Sequence, residues 1–187
     1  MGDTTSLRNH LLIAMPTLHD PNFFHTVTYI CEHNDDGAMG IVINRPLDVS
    51  LAEVLAHMEI TMEESAAAAV PVLGGGPVQR ERGFVLHRPV GDWTVSLTVT
   101  DEIAVTTSRD ILEAMARSQG PSDVLVALGY AGWGAGQLEQ EISDNAWLNG
   151  PANPAILFQT PFEQRWHAAA ALIGVDLNTL SAEVGHA

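Results

Sequence analysis

Lysine is absent from this 187-residue chain, and its eight basic residues are all arginines. This absence excludes a Schiff-base lysine, a phosphate-binding P-loop lysine and a catalytic lysine pair, because each of them needs a primary amine. The chain carries 23 aspartates and glutamates against those arginines, which gives a formal net charge of −15. A charge of that sign repels polyanions, so we expect no direct binding to duplex DNA.

Cysteine is almost absent, and long hydrophobic runs are missing. Cys31 is the single cysteine, so neither an intrachain disulfide nor a cysteine-based zinc cluster can form within one chain. The apolar run at residues 11–15 ends at Pro16 and is too short for a signal-peptide core. Glycines interrupt the longest apolar stretch, at residues 124–136, which falls short of the roughly 18 residues that a membrane helix needs. We therefore expect a soluble cytoplasmic protein without a membrane segment.

The hydrophobic pattern predicts one strand-rich α+β domain over residues 1–187. Hydrophobic residues make up 46% of the chain, enough for one substantial core, and no linker or repeat divides it. Alternating and β-branched segments predict strands at 10–15, 27–31, 39–43, 83–88, 93–100, 103–105, 123–130 and 155–158. Capping signals predict helices at 51–58 (Ser50 with Glu53), at 108–117, at 137–143, and at 161–173 with Thr160 as the cap. Residues 59–70 also favour a helix, and the order of elements favours a mixed or antiparallel sheet with helices packed around it.

A glycine-rich segment at residues 129–136 follows one of these strands and precedes a helix. Closely spaced glycines at a helix N-terminus let backbone amides approach an anion, so Gly132, Gly134 and Gly136 are candidate ligand-binding residues. The alternative, which we favour, is a tight turn that packs against its neighbours. The spacing departs from nucleotide-binding motifs, and Glu139 and Glu141 in the following helix would repel an anion. If glycine is required for tight packing, replacing Gly134 with valine should lower stability, and so should replacing Gly76 of the earlier glycine group at residues 74–76.

Basic charge gathers at one place, where Gly75 and Gly76 are followed by Arg80, Arg82 and Arg88. These residues, together with Arg45 of the Asn-Arg-Pro segment at residues 44–46, are candidates for binding a carboxylate or phosphate. The alternative, which we favour, is that the glycines relieve crowding in a loop and the arginines pair with Glu81 and other carboxylates.

No residue pattern indicates a catalytic centre, a metal site or a cofactor. The residues His19, Asp20, His25, Cys31 and His33 lie close in sequence but lack helical H-x-x-x-H spacing, and Cys31 is predicted to be a small buried hydrophobe. A G-x-S-x-G nucleophile elbow is absent, which argues against a serine hydrolase. The tryptophans 133, 147 and 166 are expected in the core rather than on a binding surface.

Long blocks of the chain closely resemble the bacterial AlgH/YqgE family. The blocks are NHLLIAMP from Asn9, YICEHN with GAMG from Tyr29, INRP from Ile43, GGPV with RGFVLH from Gly75, TTSRDIL from Thr106, ALGYAGWGAGQLE from Ala127, NAW from Asn145 and TPFEQRW from Thr160. The resemblance extends over residues 6–187. It implies a cytoplasmic α+β protein with its sheet folded into a pseudo-barrel. Members are often labelled transcriptional regulators, yet they lack a recognisable DNA-binding motif and offer no catalytic residues to carry over.

Two functions follow as hypotheses. The first is a non-enzymatic regulatory or protein-interaction role with an unidentified protein partner, which the family label, the acidic charge and the missing catalytic pattern favour. The alternative is a protein that binds a small anionic molecule, or an enzyme, that uses the glycine-rich segment and the arginines around one cleft. The two differ in whether the arginines lie beside the glycine-rich segment in a concave pocket.

Overall fold

The computed structural model of the protein describes residues 6–62 and 70–184. The strands are β1 (His10–Ala14), β2 (Val27–Asn34), β3 (Gly37–Val42), β4 (Pro46–Ser50), β5 (Pro71–Gly74), β6 (Val78–Arg88), β7 (Ser96–Thr98), β8 (Ala104–Thr106), β9 (Asp123–Gly134) and β10 (Trp147–Pro151). The helices are α1 (Leu51–His57), α2 (Arg109–Ala116), α3 (Gln137–Ser143), α4 (Pro154–Phe158), α5 (Arg165–Leu172) and α6 (Leu177–Val184), with a 3-10 helix at Phe162–Gln164. The α+β class predicted from the sequence is confirmed.

The strands form one curled, mixed sheet that makes a half-barrel. Its main path runs β10-β1-β2-β3-β9-β6-β8-β7, with β4 and β5 attached beside it. All pairs are antiparallel except β5 with β9, which run parallel. The guanidinium of Arg8 donates hydrogen bonds to the carbonyls of Thr98 and Val99, and so ties the start of β1 to the edge strand β7.

Strand β9 is the centre of the fold, because it changes partners along its length. Its first half pairs with β5 on one side, where Val72 lies opposite Val126, and its second half pairs with β3 on the same side, where Gly40 lies opposite Ala131. The change falls at Gly129, whose φ of +82° bends the strand. In its first half, Leu125 and Ala127 pack into one hydrophobic cluster and Val126 into another on the opposite face, as period-two alternation requires, and Ala131 and Trp133 of its second half pack into a third.

Three hydrophobic clusters hold the helices to the sheet. The inside of the curl packs against α5, mainly through Trp166. The amphipathic helices α1 and α2 cover the other face. Helix α3 closes one end of the half-barrel with Leu138 against a pair of buried tryptophans. The prediction that the tryptophans at 133, 147 and 166 belong to the core is confirmed, and so is the burial of Cys31.

Helix α1 begins where the capping residues predict. The Ser50 hydroxyl accepts from the Glu53 amide at 3.2 Å, and the Glu53 carboxylate accepts from the Ser50 amide at 3.4 Å. Helix α2 also begins after the predicted Ser108, but by a different contact. The Ser108 hydroxyl donates to the Asp110 carboxylate at 2.5 Å and leaves the first-turn amides alone.

Several predicted elements are wrong. Residues 155–158 form helix α4 rather than a strand, because Asn153 caps it through a 2.8 Å bond from the Ala155 amide. Thr160 is not the cap of the last long helix, since its hydroxyl donates to the carbonyl of Ala155 and α5 begins only at Arg165. The predicted strand at 93–100 shrinks to the three residues of β7. Most of the helix suggested at 59–70 lies outside the described residues.

The prediction of a tight turn in the glycine-rich segment at residues 129–136 is also wrong, because β9 continues as a strand to Gly134. Gly132 and Gly134 are strand residues opposite Met39 and Gly37 of β3. Only Gly136, with a φ of +74°, ends the strand segment and precedes α3. Among the described residues, no helix is long and apolar enough to cross a membrane.

Candidate functional site

A large cavity lies between α1, α2 and the outer face of the sheet, and we call it the α1–α2 groove. Its volume is about 610 Å³. It is lined by Val49, Glu53, Val54, His57, Met58, Glu81, Arg82, Gly83, Val85, Thr106, Thr107, Ser108, Leu112, Val126 and Leu128. A volume of this size lies within the range of about 300–1,000 Å³ typical of ligand-binding clefts.

The groove has apolar walls because three periodic elements turn one face toward it. Val54 and Met58 are four residues apart on and just beyond α1, so they share a face of the helix. Val126 and Leu128 are two residues apart on β9 and therefore point to the same side of the sheet. Leu112 of α2 completes the wall. The charged lining residues Glu53, Glu81 and Arg82 are exposed to solvent, and we place them at the rim.

Arg82 stands at the rim of this groove and also lines a second cavity of about 520 Å³. Its guanidinium makes only long hydrogen bonds, to Gln79 Oε1 at 3.3 Å and to Thr107 Oγ1 at 3.4 Å. The second cavity includes Gly132 and Phe84, whose ring lies 5.6 Å from the Arg82 guanidinium carbon. Thus one predicted arginine does meet one glycine of the glycine-rich segment.

Arg45 and Arg80 meet in a different pocket, of about 210 Å³, which we call the Arg45–Arg80 pocket. It is lined by Asn22, Arg45, Leu47, Gly74, Gly76, Pro77, Arg80 and Leu128. The third arginine of the sequence cluster, Arg88, lies elsewhere, in an ion pair of 2.9 Å with Asp123. The predicted arginine cluster is therefore divided among separate places.

The predicted glycines at 75 and 76 are explained by a close crossing of two backbones. A Cβ at Gly75 would lie 2.3 Å from the Gly129 carbonyl oxygen, and one at Gly76 would lie 2.1 Å from the Tyr130 carbonyl carbon. No side chain fits at those distances. The two glycine-rich segments of the sequence thus do come together, but they pack backbone against backbone.

Gly134 and Gly136 have no such crowding. The closest atom to a Cβ at Gly134 would be Gln137 Oε1 at 3.9 Å, and a Cβ at Gly136 would meet nothing within 4 Å. The expectation that Gly134 is sterically required is therefore wrong. Sequence spacing could not distinguish this glycine from Gly76, because the neighbour that decides comes from another strand.

The two glutamates that follow the glycine-rich segment bind neighbouring side chains of the fold. Glu139 accepts from His33 Nε2 at 2.7 Å, while His33 Nδ1 accepts from the Leu7 amide at 2.8 Å. One oxygen of Glu141 accepts from two indoles, Trp133 at 3.0 Å and Trp147 at 2.9 Å. The carboxylates of α3 therefore hold the closed end of the half-barrel together.

A buried histidine beside the α1–α2 groove was missed by the sequence analysis. His87 Nε2 lies 2.7 Å from Thr106 Oγ1, and His87 Nδ1 donates a hydrogen bond to the Pro89 carbonyl oxygen at 2.9 Å. The Thr106 hydroxyl is also 3.1 Å from Ser96 Oγ. A hydroxyl beside a neutral imidazole can serve as a nucleophile and a base. However, His87 and Thr106 are both 0% exposed, which favours a structural network.

The buried imidazole predicts an acid-sensitive fold. Burial lowers the pKa of His87 from its usual 6.5, so an unfolded chain binds a proton at pH values where the folded chain does not. Stability from this group is complete above the unfolded pKa and is lost as the pH falls through the folded pKa. We expect the free energy of unfolding in urea to drop between about pH 7 and about pH 5 by less in His87→Gln than in the wild type.

His57→Gln is the control, because His57 is an exposed histidine on α1. This variant should keep the wild-type dependence on pH. An equal pH dependence in His87→Gln and the wild type would contradict the role given to the buried imidazole.

Two of the residues weighed as metal ligands in the sequence analysis, His25 and Cys31, have surroundings that do not suit a metal. His25 stacks between Phe24 and Trp166, with 3.8 Å between ring centroids on each side. Burial raises the pKa of the Cys31 thiol, which disfavours the thiolate that metal binding needs. Within residues 6–62 and 70–184, no group of three or more His, Cys, Asp or Glu side chains is arranged to hold a metal ion.

Comparison with known proteins gives the family. The AlgH-like family model matches residues 11–178. A UPF0301 protein from Thioalkalivibrio sulfidiphilus is 64% identical over 187 residues, with both chains fully covered. The chain is a member of the AlgH-like family.

Solved structures of similar proteins agree. The AlgH protein from Pseudomonas aeruginosa, solved in solution, is 51% identical, superposes with a TM-score of 0.81, and is matched over 97% of this chain and 96% of its own. A protein from Corynebacterium diphtheriae shares the fold of the AlgH-like family with a TM-score of 0.69 at 20% identity, over 92% of this chain and 90% of its own. The resemblance recognised from the sequence is therefore confirmed.

Proposed function

We propose that this protein is a non-enzymatic regulatory protein that binds an apolar, positively charged segment of a partner protein in the α1–α2 groove. The observation that carries the proposal is the groove itself, a cleft of about 610 Å³ with apolar walls. Large exposed apolar patches are uncommon on monomeric soluble proteins, and where they occur they often mark interaction sites.

The shape of the groove supports an elongated occupant. Helix α1 forms one wall through Val54 and Met58, and helix α2 contributes Leu112, with strands β6 and β9 as the floor. Apolar grooves between helices receive amphipathic segments through side chains spaced along one face. A methionine in the wall can adjust its side chain to different apolar groups.

Charge supports a basic partner. The chain carries a net charge of −15, and Glu53 and Glu81 stand at the rim of the groove. Arg82 is the one arginine among the lining residues of the groove. A negative surface speeds the encounter with a positively charged partner and slows the encounter with nucleic acid.

The arrangement of the arginines argues against direct DNA binding. Arg88 and Arg109 are paired with Asp123 and Glu113, and Arg165 is 2% exposed. Arg8 binds backbone carbonyls. The arginines outside these contacts are divided, since Arg45 and Arg80 line one small pocket and Arg82 lines another. Displacing counterions from DNA takes several free cationic side chains spread along one surface, so the regulator label of the family is more consistent with a protein partner.

The contacts of three candidate nucleophiles among the described residues, Cys31, Thr106 and Ser108, support a non-enzymatic role. Cys31 is buried with a raised pKa, and the His87–Thr106 pair is covered. The hydroxyl of Ser108 at the groove is engaged with Asp110 and with the Val95 amide. The Cys31 thiol and the hydroxyls of Thr106 and Ser108 therefore each have a structural contact that accounts for them.

The test is affinity capture from native cells, followed by titration of the purified partner. Met58→Glu places a charge in the apolar wall, and Glu81→Lys reverses a rim charge; Glu102→Lys, on an exposed turn beside a different pocket, is the matched control. We expect Met58→Glu to weaken binding of the partner at least about tenfold, Glu81→Lys less, and the control not at all. Thermal melts establish that each variant is folded.

Two results would contradict the proposal. One is that no partner is recovered reproducibly, or that Met58→Glu binds it as well as the wild type does. The other is saturable binding to duplex DNA at sub-micromolar protein, in about 0.15 M salt and with competitor DNA present, which would point to a nucleic-acid partner instead.

A further inference from the structure

The Arg45–Arg80 pocket brings two guanidinium groups together from distant parts of the sequence. Arg45 follows β3, whereas Arg80 belongs to β6, and Asn22 contacts both side chains. The rest of the lining is apolar or glycine, with Leu47, Pro77 and Leu128 among it. The pocket is open to solvent but smaller than the groove.

Arg45 is fixed in place. Its two terminal nitrogens donate to the backbone carbonyls of Asn22 at 2.7 Å and Phe24 at 2.9 Å. Burial lowers the pKa of the Arg45 guanidinium from its usual value, and the nearby Asp20 partly opposes that change. A guanidinium in a protein stays charged at neutral pH. Two carbonyls use only part of the five N–H donors of a guanidinium. Because these two bonds already fix the side chain, a ligand that accepts from the remaining N–H donors of Arg45 causes little further loss of side-chain entropy.

Arg80 is aimed by an irregularity of β6. Val78 pairs with Tyr130 and Gly83 pairs with Leu128, so residues 79–82 form a bulge opposite a single residue of β9. Bulges re-aim side chains at functional sites. Within the described part of the chain, Arg80 donates one hydrogen bond, to Asn22 Oδ1 at 3.3 Å, which is at the long limit for an N–H···O bond. This side chain is therefore free to exchange that bond for a stronger one.

The charge balance makes the pocket unusual in this chain. Carboxylates outnumber arginines 23 to 8, yet the ion pairs within 4.0 Å among the described residues are Arg88–Asp123, Arg109–Glu113 and His33–Glu139. Neither Arg45 nor Arg80 takes part in one. Two guanidiniums facing one pocket repel each other unless an anion lies between them.

We propose that the Arg45–Arg80 pocket binds a small oxyanion, the phosphate or carboxylate group of a low-molecular-weight ligand. Guanidiniums bind both groups through paired, charge-assisted hydrogen bonds. A volume of about 210 Å³ fits one anionic group with a short apolar portion against Leu47 and Leu128. The site is separate from the apolar cleft between the helices, although Leu128 contributes to the lining of both.

The test is an NMR titration of the ¹⁵N-labelled protein, which follows the Nε–Hε signals of the arginines and the amides of residues 74–80. Sodium phosphate and sodium succinate are added separately, and sodium chloride at matched ionic strength is the blank. We expect saturable shifts for phosphate or succinate with a Kd of about 1 mM or lower, and none for chloride. Saturation with phosphate assigns a phosphoryl ligand, and saturation with succinate assigns a carboxylate ligand.

Two variants decide which residues are responsible. Arg80→Gln should weaken the binding at least about tenfold, whereas Arg82→Gln, in the same bulge but outside this pocket, should leave the Kd within about twofold. Arg80 is exposed, so its variant should fold normally. Shifts that stay linear and match those of chloride, or a Kd that Arg80→Gln leaves unchanged, would overturn the proposal.

Discussion

Replacing Gly76 with valine is expected to lower the free energy of unfolding by at least about 3 kcal/mol, because two costs combine. The residue has a φ of +153°, which side chains other than glycine rarely adopt. A Cβ there would also lie 2.1 Å and 2.2 Å from the carbonyl carbon and oxygen of Tyr130. In a chain of this length the melting temperature should fall by roughly 6 °C or more.

Gly134→Val is the matched control, since Gly134 is also a glycine of a paired strand segment. It is exposed, and the nearest atom to its Cβ would be 3.9 Å away. Its free energy of unfolding should stay within about 0.5 kcal/mol of the wild type. Urea unfolding of both variants gives the comparison, and Gly76→Ala tests the Cβ alone, since alanine carries the same overlapping atom. Equal losses at the two positions would show that the backbone crossing is not what requires glycine.

This pair of glycines also shows where prediction from the sequence reaches its limit. Local patterns correctly predicted the two strands that became β2 and β3, the capped helix α1 and the helical segment α3, because caps and periodicity act over a few neighbours. Whether a glycine is needed depends instead on which strand passes beside it. That information enters only when β5 and the loop after it come to lie along β9.

The strand predicted at residues 155–158, where the structure has helix α4, is wrong for a different reason. Asn153 and Pro154 carry the same signal, a capping side chain followed by proline, that was read at Thr160 and Pro161. The apolar residues after Pro154 resembled a buried strand, and short apolar runs do not separate the two alternatives by periodicity. The capping signal was therefore present in the sequence, and the position chosen for it was wrong.

The candidate sites were predictable only in part. Arg45, Gly76 and Arg80 were chosen for their residue types, and the fold does place them around one pocket. The α1–α2 groove was not predicted, because it is made by side chains that any amphipathic helix carries. It arises where the two helices stand apart over the sheet, and that spacing is a property of tertiary packing.

The second large effect is expected at Glu141, which links α3 to the glycine-rich part of β9. Its Oε1 accepts hydrogen bonds from the indoles of Trp133 and Trp147, whose side chains are 6% and 3% exposed. Alanine at this position would leave two buried N–H donors without their acceptor. Each such donor costs about 1–3 kcal/mol, so Glu141→Ala should lose roughly 2–6 kcal/mol of unfolding free energy, with the lower end where water enters the space left by the carboxylate.

Two controls separate this hydrogen-bonding role from general effects on α3. Glu141→Gln keeps an oxygen that can accept hydrogen bonds from both indoles, but it loses the negative charge. It also brings an NH2 group against the Gln137 NH2 group, which in the wild type donates to the Glu141 carboxylate at 2.9 Å. It should therefore lose less than half as much as the alanine variant. Asp144→Ala removes an exposed carboxylate just after the same helix, which accepts only from Gln140, and should stay within about 0.5 kcal/mol of the wild type.

Tryptophan emission supplies a readout that stability alone does not. Loss of the shared acceptor lets water reach the two indole N–H groups, so the emission of folded Glu141→Ala should shift to longer wavelength, while Asp144→Ala keeps the wild-type spectrum. A Glu141→Ala variant that melts with the wild type and emits as the wild type does would mean that the carboxylate is dispensable. In that case the end of the half-barrel would be held by the packing of Leu138 against the tryptophans.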